Sequence, residues 1–557
     1  MHFARIASAL CKLSLRRSSL TAAAAMSIAT SLAGSATVLA SGEGEHERDL
    51  GPGCAPERPA VPHRAGGVRV RVPEHERAPI PCSTNTGFRT SEIGLVVTNS
   101  GSIVGFQPAL QTDTGFPIGV LRSINEGASW EFILPTSPDN PPRLTAVDQN
   151  MTIDRTTGRI FWMSPGYDFP TLQQPPRLDI SDDEGRTWFR GGQPLGFDHV
   201  QIFTGPPPAA LRHLMRGYPN VLYACMGHKP LKCQKSLDGG MTWGLELDIP
   251  FPPELEPIQG PDHTCSAFGL NGVVARNGTV YVGVAPCNRP YIAISHDEGT
   301  TWRMSRVADT EIIGWGMVSP GVDRLGNLYA AFVANSNRLP YLAVSRDGGA
   351  HWSGALMIAA PSVKEAALPE LLADGTGHVA VAYYGSTNIS LPFPPMCGFD
   401  LGGMGPNPVL SCPGYENEKW NMYITETWDA ASRQPLFWSA PLNDPAQPVW
   451  YGCSPSEMGV VRVDENFISP NPPGFEGGCQ PTVGGPAAGG RIDYYGVNMA
   501  PDGTPWVGFG QACPLGLPVP GNPNCPATLT GAPTDALWGM VGRLVRVQEE
   551  GEHHDDD

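Results

Sequence analysis

One eight-residue phrase, S-x-(D/N)-x-G-x-(S/T/H)-W, occurs five times in this 557-residue chain. The copies begin at Ser123, Ser181, Ser236, Ser295 and Ser345, at spacings of 58, 55, 59 and 50 residues. A period of this length means that one supersecondary unit is reused, so the fold has to be read as an array.

Each copy lies between short apolar, alternating segments, as in Tyr291-Ile292-Ala293-Ile294 before Ser295. That pattern marks a β-hairpin, with the phrase at its turn. The Asp, or Asn125 in the first copy, can bend its side chain back onto the turn's N–H groups. The Gly supplies a positive φ, and the Trp offers a large apolar surface to pin the turn to its own sheet. These carboxylates could instead serve catalysis or a metal. Fivefold repetition favours the turn clip, because a reaction needs its catalytic group once.

A second pattern precedes each phrase: an apolar strand, a turn with Asp or Asn and Gly, then another apolar strand. It recurs without the phrase at Ala373-Asp374-Gly375 and at Pro501-Asp502-Gly503. Two further units therefore follow the fifth copy. The expected fold is all-β: a β-propeller of about seven four-stranded blades spanning residues 66–547, with six as the alternative count. Gly67 to Val72 is expected to pair with the last blade and close the ring. The sixth unit shows only a degenerate hairpin, Ile424 to Trp428.

The phrase joins strands three and four, so all copies share one face with the turns between strands one and two. The insertions Ser386 to Lys419, Asp444 to Gly490 and Gln511 to Asp535 then project from the opposite face. Long loops on a rigid scaffold are where function concentrates.

Composition fits this architecture and excludes others. With 66 Gly, 58 Pro and only 16% charged residues, the chain is rich in turns. A net charge of −17 argues against a nucleic-acid partner. Residues 1–40 read as a signal peptide cleaved near Ala40, with Lys12, Arg16 and Arg17 before an Ala-rich apolar run. A secreted or periplasmic location follows, with no later membrane span. Residues 41–65 read as a disordered segment and 548–557 as a solvated acidic tail. Beyond Cys11, twelve cysteines fall as neighbours: 54/82, 225/233, 265/287, 397/412, 453/479 and 513/525. Six local disulfides are the preferred pairing. No C-x-x-C spacing suggests a metal, and no cofactor motif is present.

The repeated phrase resembles the Asp-box of sialidase-like β-propellers, over roughly residues 86–545. The resemblance implies a substrate-binding Arg near the start of the first blade, matched by Arg89 in Phe88-Arg89-Thr90-Ser91, where Ile-Pro is replaced. It implies a general-acid Asp before the first box, matched in position by Asp113. Arg491-Ile492-Asp493-Tyr494-Tyr495 could supply a second substrate-binding Arg491 and a nucleophile, Tyr494 or Tyr495. Glu370 is a candidate partner for that tyrosine and Glu457 another. Where the family expects an Arg in the sixth unit, this chain has Tyr383-Tyr384.

The resemblance implies a monomer directed at an extracellular glycan or glycoprotein, with exo-hydrolysis of terminal sialic acid or a similar acidic sugar as its activity. A non-catalytic binding or adhesion propeller is the alternative. A hydrolase of neutral polysaccharide using paired carboxylates is the third reading.

Overall fold

The computed structural model describes residues 50–73, 76–89, 93–106, 119–135, 149–164, 175–194, 196, 200–226, 231–258, 269–312, 317–388, 419–451, 495–512 and 537–547. Their strands form seven antiparallel sheets, each containing the four strands of one blade. The expected propeller is therefore seven-bladed. The innermost strands are Leu95–Val97, Asn150–Ile153, Val200–Gly205, Gly269–Val274, Ser319–Val322, Glu365–Asp374 and Val497–Met499, in blades one to seven.

The repeated turns are built as their composition requires. In the fourth, Ser295 Oγ donates to Asp297 Oδ1 and accepts the Gly299 N–H, both at 2.8 Å. Asp297 also accepts the Thr301 N–H and Oγ1–H at 2.8 Å each. The Trp302 Nε1–H reaches back to Gly299 O at 3.1 Å. Gly299 sits at φ +78°, in the left-handed region that glycine enters without a Cβ penalty. In the first box Asn125 takes the place of the Asp, and its Oδ1 accepts from Ser123 Oγ and from Ser129 N–H at 3.0 Å.

Blade six has a clip that the phrase does not reveal. Thr427 Oγ1 donates to Asp429 Oδ1 at 2.7 Å, and the same oxygen accepts the Leu436 N–H at 2.9 Å. The side-chain logic survives in a longer turn without the closing Trp. Blade seven has no such turn for a topological reason. Its third strand, Leu537–Val545, is near the end of the chain, and its fourth, Ile80–Arg89, comes from near the beginning. These two pair antiparallel from Ile80↔Val545 to Arg89↔Trp538. No turn joins them, so no box can.

This corrects the expected closure. Gly67 to Val72 does not close the ring; Ile80–Arg89 does, pairing along Leu537–Val545, while Val68–Arg69 is taken up in a hairpin with Val61–Arg64. Instead Val61–Arg64 pairs with Phe437 to Ser439 and with Val68–Arg69, adding a hairpin to the outer edge of blade six. The stretch expected to be disordered up to residue 65 therefore contains a strand from residue 61. It also contains Cys54, disulfide-bonded to Cys82 on the closing strand. Cys225 and Cys233 are bonded across strands two and three of blade three. Cys287 is disulfide-bonded as well. The other proposed pairs, residues 1–40 and the acidic tail lie outside the described residues.

The anchors of the insertions fall where expected. Ser386 pairs with both Glu365 and Trp420, at the end of blade six where its first strand begins. Ala512 pairs with Leu537 at the corresponding end of blade seven. Both lie opposite the Asp-box face.

Candidate functional site

The first strands of all seven blades surround a cavity of about 150 Å³ on the propeller axis. Its lining includes Gln149, Asn150, Gln201, Asn271, Glu370, Tyr495 and Asn498 among apolar strand residues. These polar residues come from five blades, two, three, four, six and seven, and the ring of inner strands brings them to one axis.

Glu370 is delivered by a bulge. Along the first strand of blade six the register shifts between Ala367↔Tyr384 and Glu370↔Ala382, and Leu368 takes φ +53°. Bulges re-aim side chains, and this one leaves the Glu370 side chain buried against blades four and five. Its Oε2 accepts the Ser319 Oγ–H at 3.1 Å and a hydrogen bond from Asn271 Nδ2. Ser319 is itself fixed by the Leu371 N–H, which donates to Ser319 Oγ at 2.9 Å. Asn271 reaches across from a second bulge, at φ +64°, where the blade-four register shifts between Gly269 and Gly272. Burial pushes the Glu370 carboxyl up to about 8, against the pull of the Ser319 and Asn271 hydrogen bonds. At neutral pH it is mostly the protonated acid.

Tyr495 stands just ahead of the first strand of blade seven and is 3% exposed. Its hydroxyl donates to Leu368 O at 2.6 Å, the carbonyl that the bulge presents. Its ring meets Tyr384 edge-on, with centroids 5.3 Å apart. Burial holds the phenol well above its ordinary pKa, and the charge of Glu370 adds to that. Tyr495 and Glu370 thus share one cavity wall. The tyrosine proton is directed to a backbone carbonyl.

On the other side, Asn150 Nδ2 donates to Gln201 Oε1 at 2.5 Å, and the Ile202 N–H donates to Asn150 Oδ1 at 3.1 Å. Gln149 Oε1 accepts the Trp162 Nε1–H at 2.7 Å. Arg155, in the turn between the first two strands of blade two, spans the Asp-box end of the channel. It donates to Val97 O and Asn498 Oδ1 at 2.5 Å, and also to Met499 O. Burial lowers its guanidinium to about 10, opposed by the charge of Asp374.

Of the residues singled out from sequence, the structure brings Glu370 and Tyr495 together. Arg89 ends the closing strand, opposite Trp538, rather than opening blade one. Asp113, Arg491, Tyr494 and Glu457 lie outside the described residues. The amides Gln149, Asn150, Gln201 and Asn271 were not singled out as site residues. They carry no motif, and a strand-start Asn or Gln is ordinary until the ring closes. Among the described residues no group of three or more His, Cys, Asp or Glu is placed to hold a metal ion. None of their helices is long and apolar enough to cross a membrane. The disulfides are consistent with an oxidising compartment.

No protein-family model matches the sequence. The sequence finds no match among curated proteins. Solved structures do match, at low identity. The NanB sialidase from Streptococcus pneumoniae is 12% identical with a TM-score of 0.35, covering 54% of this chain and 65% of its own. An α-L-arabinanase of Penicillium chrysogenum is 11% identical with a TM-score of 0.36, covering 70% of this chain and 99% of its own. A protein of unknown function from Dyadobacter fermentans is 13% identical with a TM-score of 0.35, covering 84% of this chain and 98% of its own. The chain is similar in architecture to sialidase and arabinanase propellers.

Proposed function

We propose that this protein is an exported, sialidase-like propeller that engages extracellular glycans at the channel mouth opposite the Asp-boxes, and that it hydrolyses a terminal sialic acid or similar acidic sugar. The observation that carries this reading is the meeting of Glu370 and Tyr495 in one polar-lined axial cavity. Convergent polar groups with displaced pKa values in a cavity are what a site requires. In the proposed reaction Tyr495 or Tyr494 is the nucleophile and Glu370 its partner. Asp113 is the general acid, and Arg89 and Arg491 hold the sugar carboxylate, since a guanidinium offers paired donors to it.

The test is release of fluorophore from a sialoside by the secreted protein, with Asp113→Asn, Glu370→Gln and Tyr495→Phe as variants. Turnover abolished by Asp113→Asn supports hydrolysis. No turnover on a panel of sialosides removes it. One specific observation favours the binding-only alternative: the Tyr495 hydroxyl donates to Leu368 O, so its proton is not directed to a carboxylate base. A glycan array separates the two readings, because binding without turnover leaves a lectin-like propeller.

A further inference from the structure

His63 lies on the hairpin that extends blade six, and its side chain is fully buried. Its Nδ1 is 3.1 Å from Arg64 O, an acceptor only, so Nδ1 carries the proton. Nε2 must then accept, and Ser439 Oγ, 2.7 Å away, donates to it. The remaining protons are fixed in turn. Thr425 Oγ1 donates to Ser439 at 2.6 Å, and the Tyr383 hydroxyl donates to Thr425 at 3.1 Å. The Ala360 N–H donates to the Tyr383 oxygen at 2.8 Å. The result is a one-way hydrogen-bonded wire crossing blade six, from the strap's histidine to the chain entering the blade.

We propose that docking of the Val61–Arg69 hairpin on blade six is a proton-controlled latch: the hairpin lies down when His63 is neutral and lifts off when His63 takes up a proton. A proton on Nε2 turns that nitrogen into a donor. The wire would then have to run the other way, and the Tyr383 oxygen would accept from both Thr425 and the Ala360 N–H, leaving its own proton without an acceptor in the wire. If it did not reverse, the Ser439 O–H would lose its acceptor. Either arrangement leaves a buried hydroxyl unpaired, which buried polar groups avoid.

The imidazole also has no carboxylate among its hydrogen-bond partners, which are Arg64 O and Ser439 Oγ. Arg64 is on the same strand and Arg69 faces His63 across the hairpin; the turn before the fourth strand holds Arg433 and Asp429, whose carboxylate is taken up by Thr427, Ser432 and Leu436. The third strand carries Lys419, Tyr423, which stacks on Tyr383 at 5.8 Å and whose pKa burial raises, and Glu426. Glu426 follows Thr425 and projects from the other face, where it bonds His378 Nε2 at 2.6 Å. On the second strand the titratable groups are His378, the wire's own Tyr383, whose pKa burial raises, and Tyr384, which points the other way to meet Tyr495. Lys364 and Glu365 lie on the chain entering the blade, and Glu365 is paired with Arg338. Phe437 stacks on the imidazole at 5.6 Å. Burial lowers the His63 pKa, against the Arg64 carbonyl bond.

The latch is tethered. The Cys54–Cys82 disulfide and the closing strand hold the hairpin at both ends, across a separation of 28 residues. Opening is therefore local and reversible. It uncovers the Phe437 to Ser439 edge and breaks the 2.9 Å bond from Gly66 N–H to Met357 O on blade five.

The sign follows from linkage. The docked state excludes a proton that the lifted state takes up below a pKa of about 6.5. Docking is therefore complete above that pH and weakens about tenfold per pH unit below it. Hydrogen exchange of the full-length protein, corrected for intrinsic rates, tests this. Protection of residues 61–70 should fall about tenfold between pH 6 and pH 5, while Val280–Val284 in blade four stays constant. In His63→Gln the pH dependence should vanish. Equal protection at both pH values, or the same fall in His63→Gln, overturns the latch. The wild-type imidazole resonance gives an independent reading. Titration at or above the ordinary value while the hairpin stays protected also overturns it.

Discussion

Replacing Asp297 separates the clip account of the Asp-box from any account in which its carboxylate is chemically active. Asp297 accepts three hydrogen bonds at 2.8 Å, from Ser295 Oγ, Thr301 N and Thr301 Oγ1. A net contribution of roughly 0.5–1.5 kcal/mol per bond gives about 2–3 kcal/mol for Asp297→Ala, discounted because water can reach Thr301. Asp297→Asn keeps the accepting Oδ1 and should cost under about 1 kcal/mol. The first blade already runs on Asn125, whose Oδ1 receives the same two bonds. Burial raises the Asp297 pKa, but the Thr301 and Ser295 hydrogen bonds outweigh it and leave the group below its ordinary value. The stability it adds is therefore full above about pH 3.9 and lost as pH falls through the lower folded value. Asp297→Asn should flatten that acid limb. The assay is exchange at the Thr301 amide, where 2 kcal/mol is about a thirtyfold loss of protection. An Asn variant as damaged as Ala would refute the clip. So would loss of glycan binding in either variant, since the boxes occupy the other face.

Glu370→Gln should match wild type at about pH 4, where the carboxyl is protonated both folded and unfolded, and should be the more stable protein at about pH 7, where folding the wild type requires an ionised carboxylate to take up a proton. Its raised pKa means that the wild type loses stability as pH rises from about 4.3 towards about 8, and Gln should remove that slope in urea titrations at pH 5 and 8. Glu370→Ala strands Asn271 and Ser319 and should cost about 1–3 kcal/mol by the same titration. Replacing Cys54 and Cys82 by Ser opens a loop spanning 28 residues and should cost about 3–4 kcal/mol, seen as faster exchange along Ile80–Arg89.

Much of this fold was legible because the hairpin chemistry is local. Ser, Asp, Gly and Trp within eight residues fix a turn, and five such turns at a steady period announce an array. The errors came where the determinants are not local. Blade six keeps the Thr427–Asp429 clip in a longer turn, so spacing hides it. Blade seven is closed by strand pairing between distant ends of the chain, and nothing near residue 85 signals Leu537–Val545 as its partner. That misplacement carried Arg89 with it, from the start of blade one to the end of blade seven. The site was half legible. Glu370 and Tyr495 were named because their residue types suit the chemistry. The Leu368 bulge that aims Glu370 and supplies the carbonyl for Tyr495 has no sequence signature. Nor have the amides of blades two to four, which become a polar wall only when seven inner strands face one axis.

Whether sugar is received in the axial cavity opposite the Asp-boxes can be read by difference hydrogen exchange under a saturating sialyl-oligosaccharide. New protection is expected in Glu365–Asp374 and around Tyr495, with the turns at Asp183, Asp238 and Asp297 unchanged. Protection confined to those turns, with none at Glu370 and Tyr495, would contradict a site in the cavity.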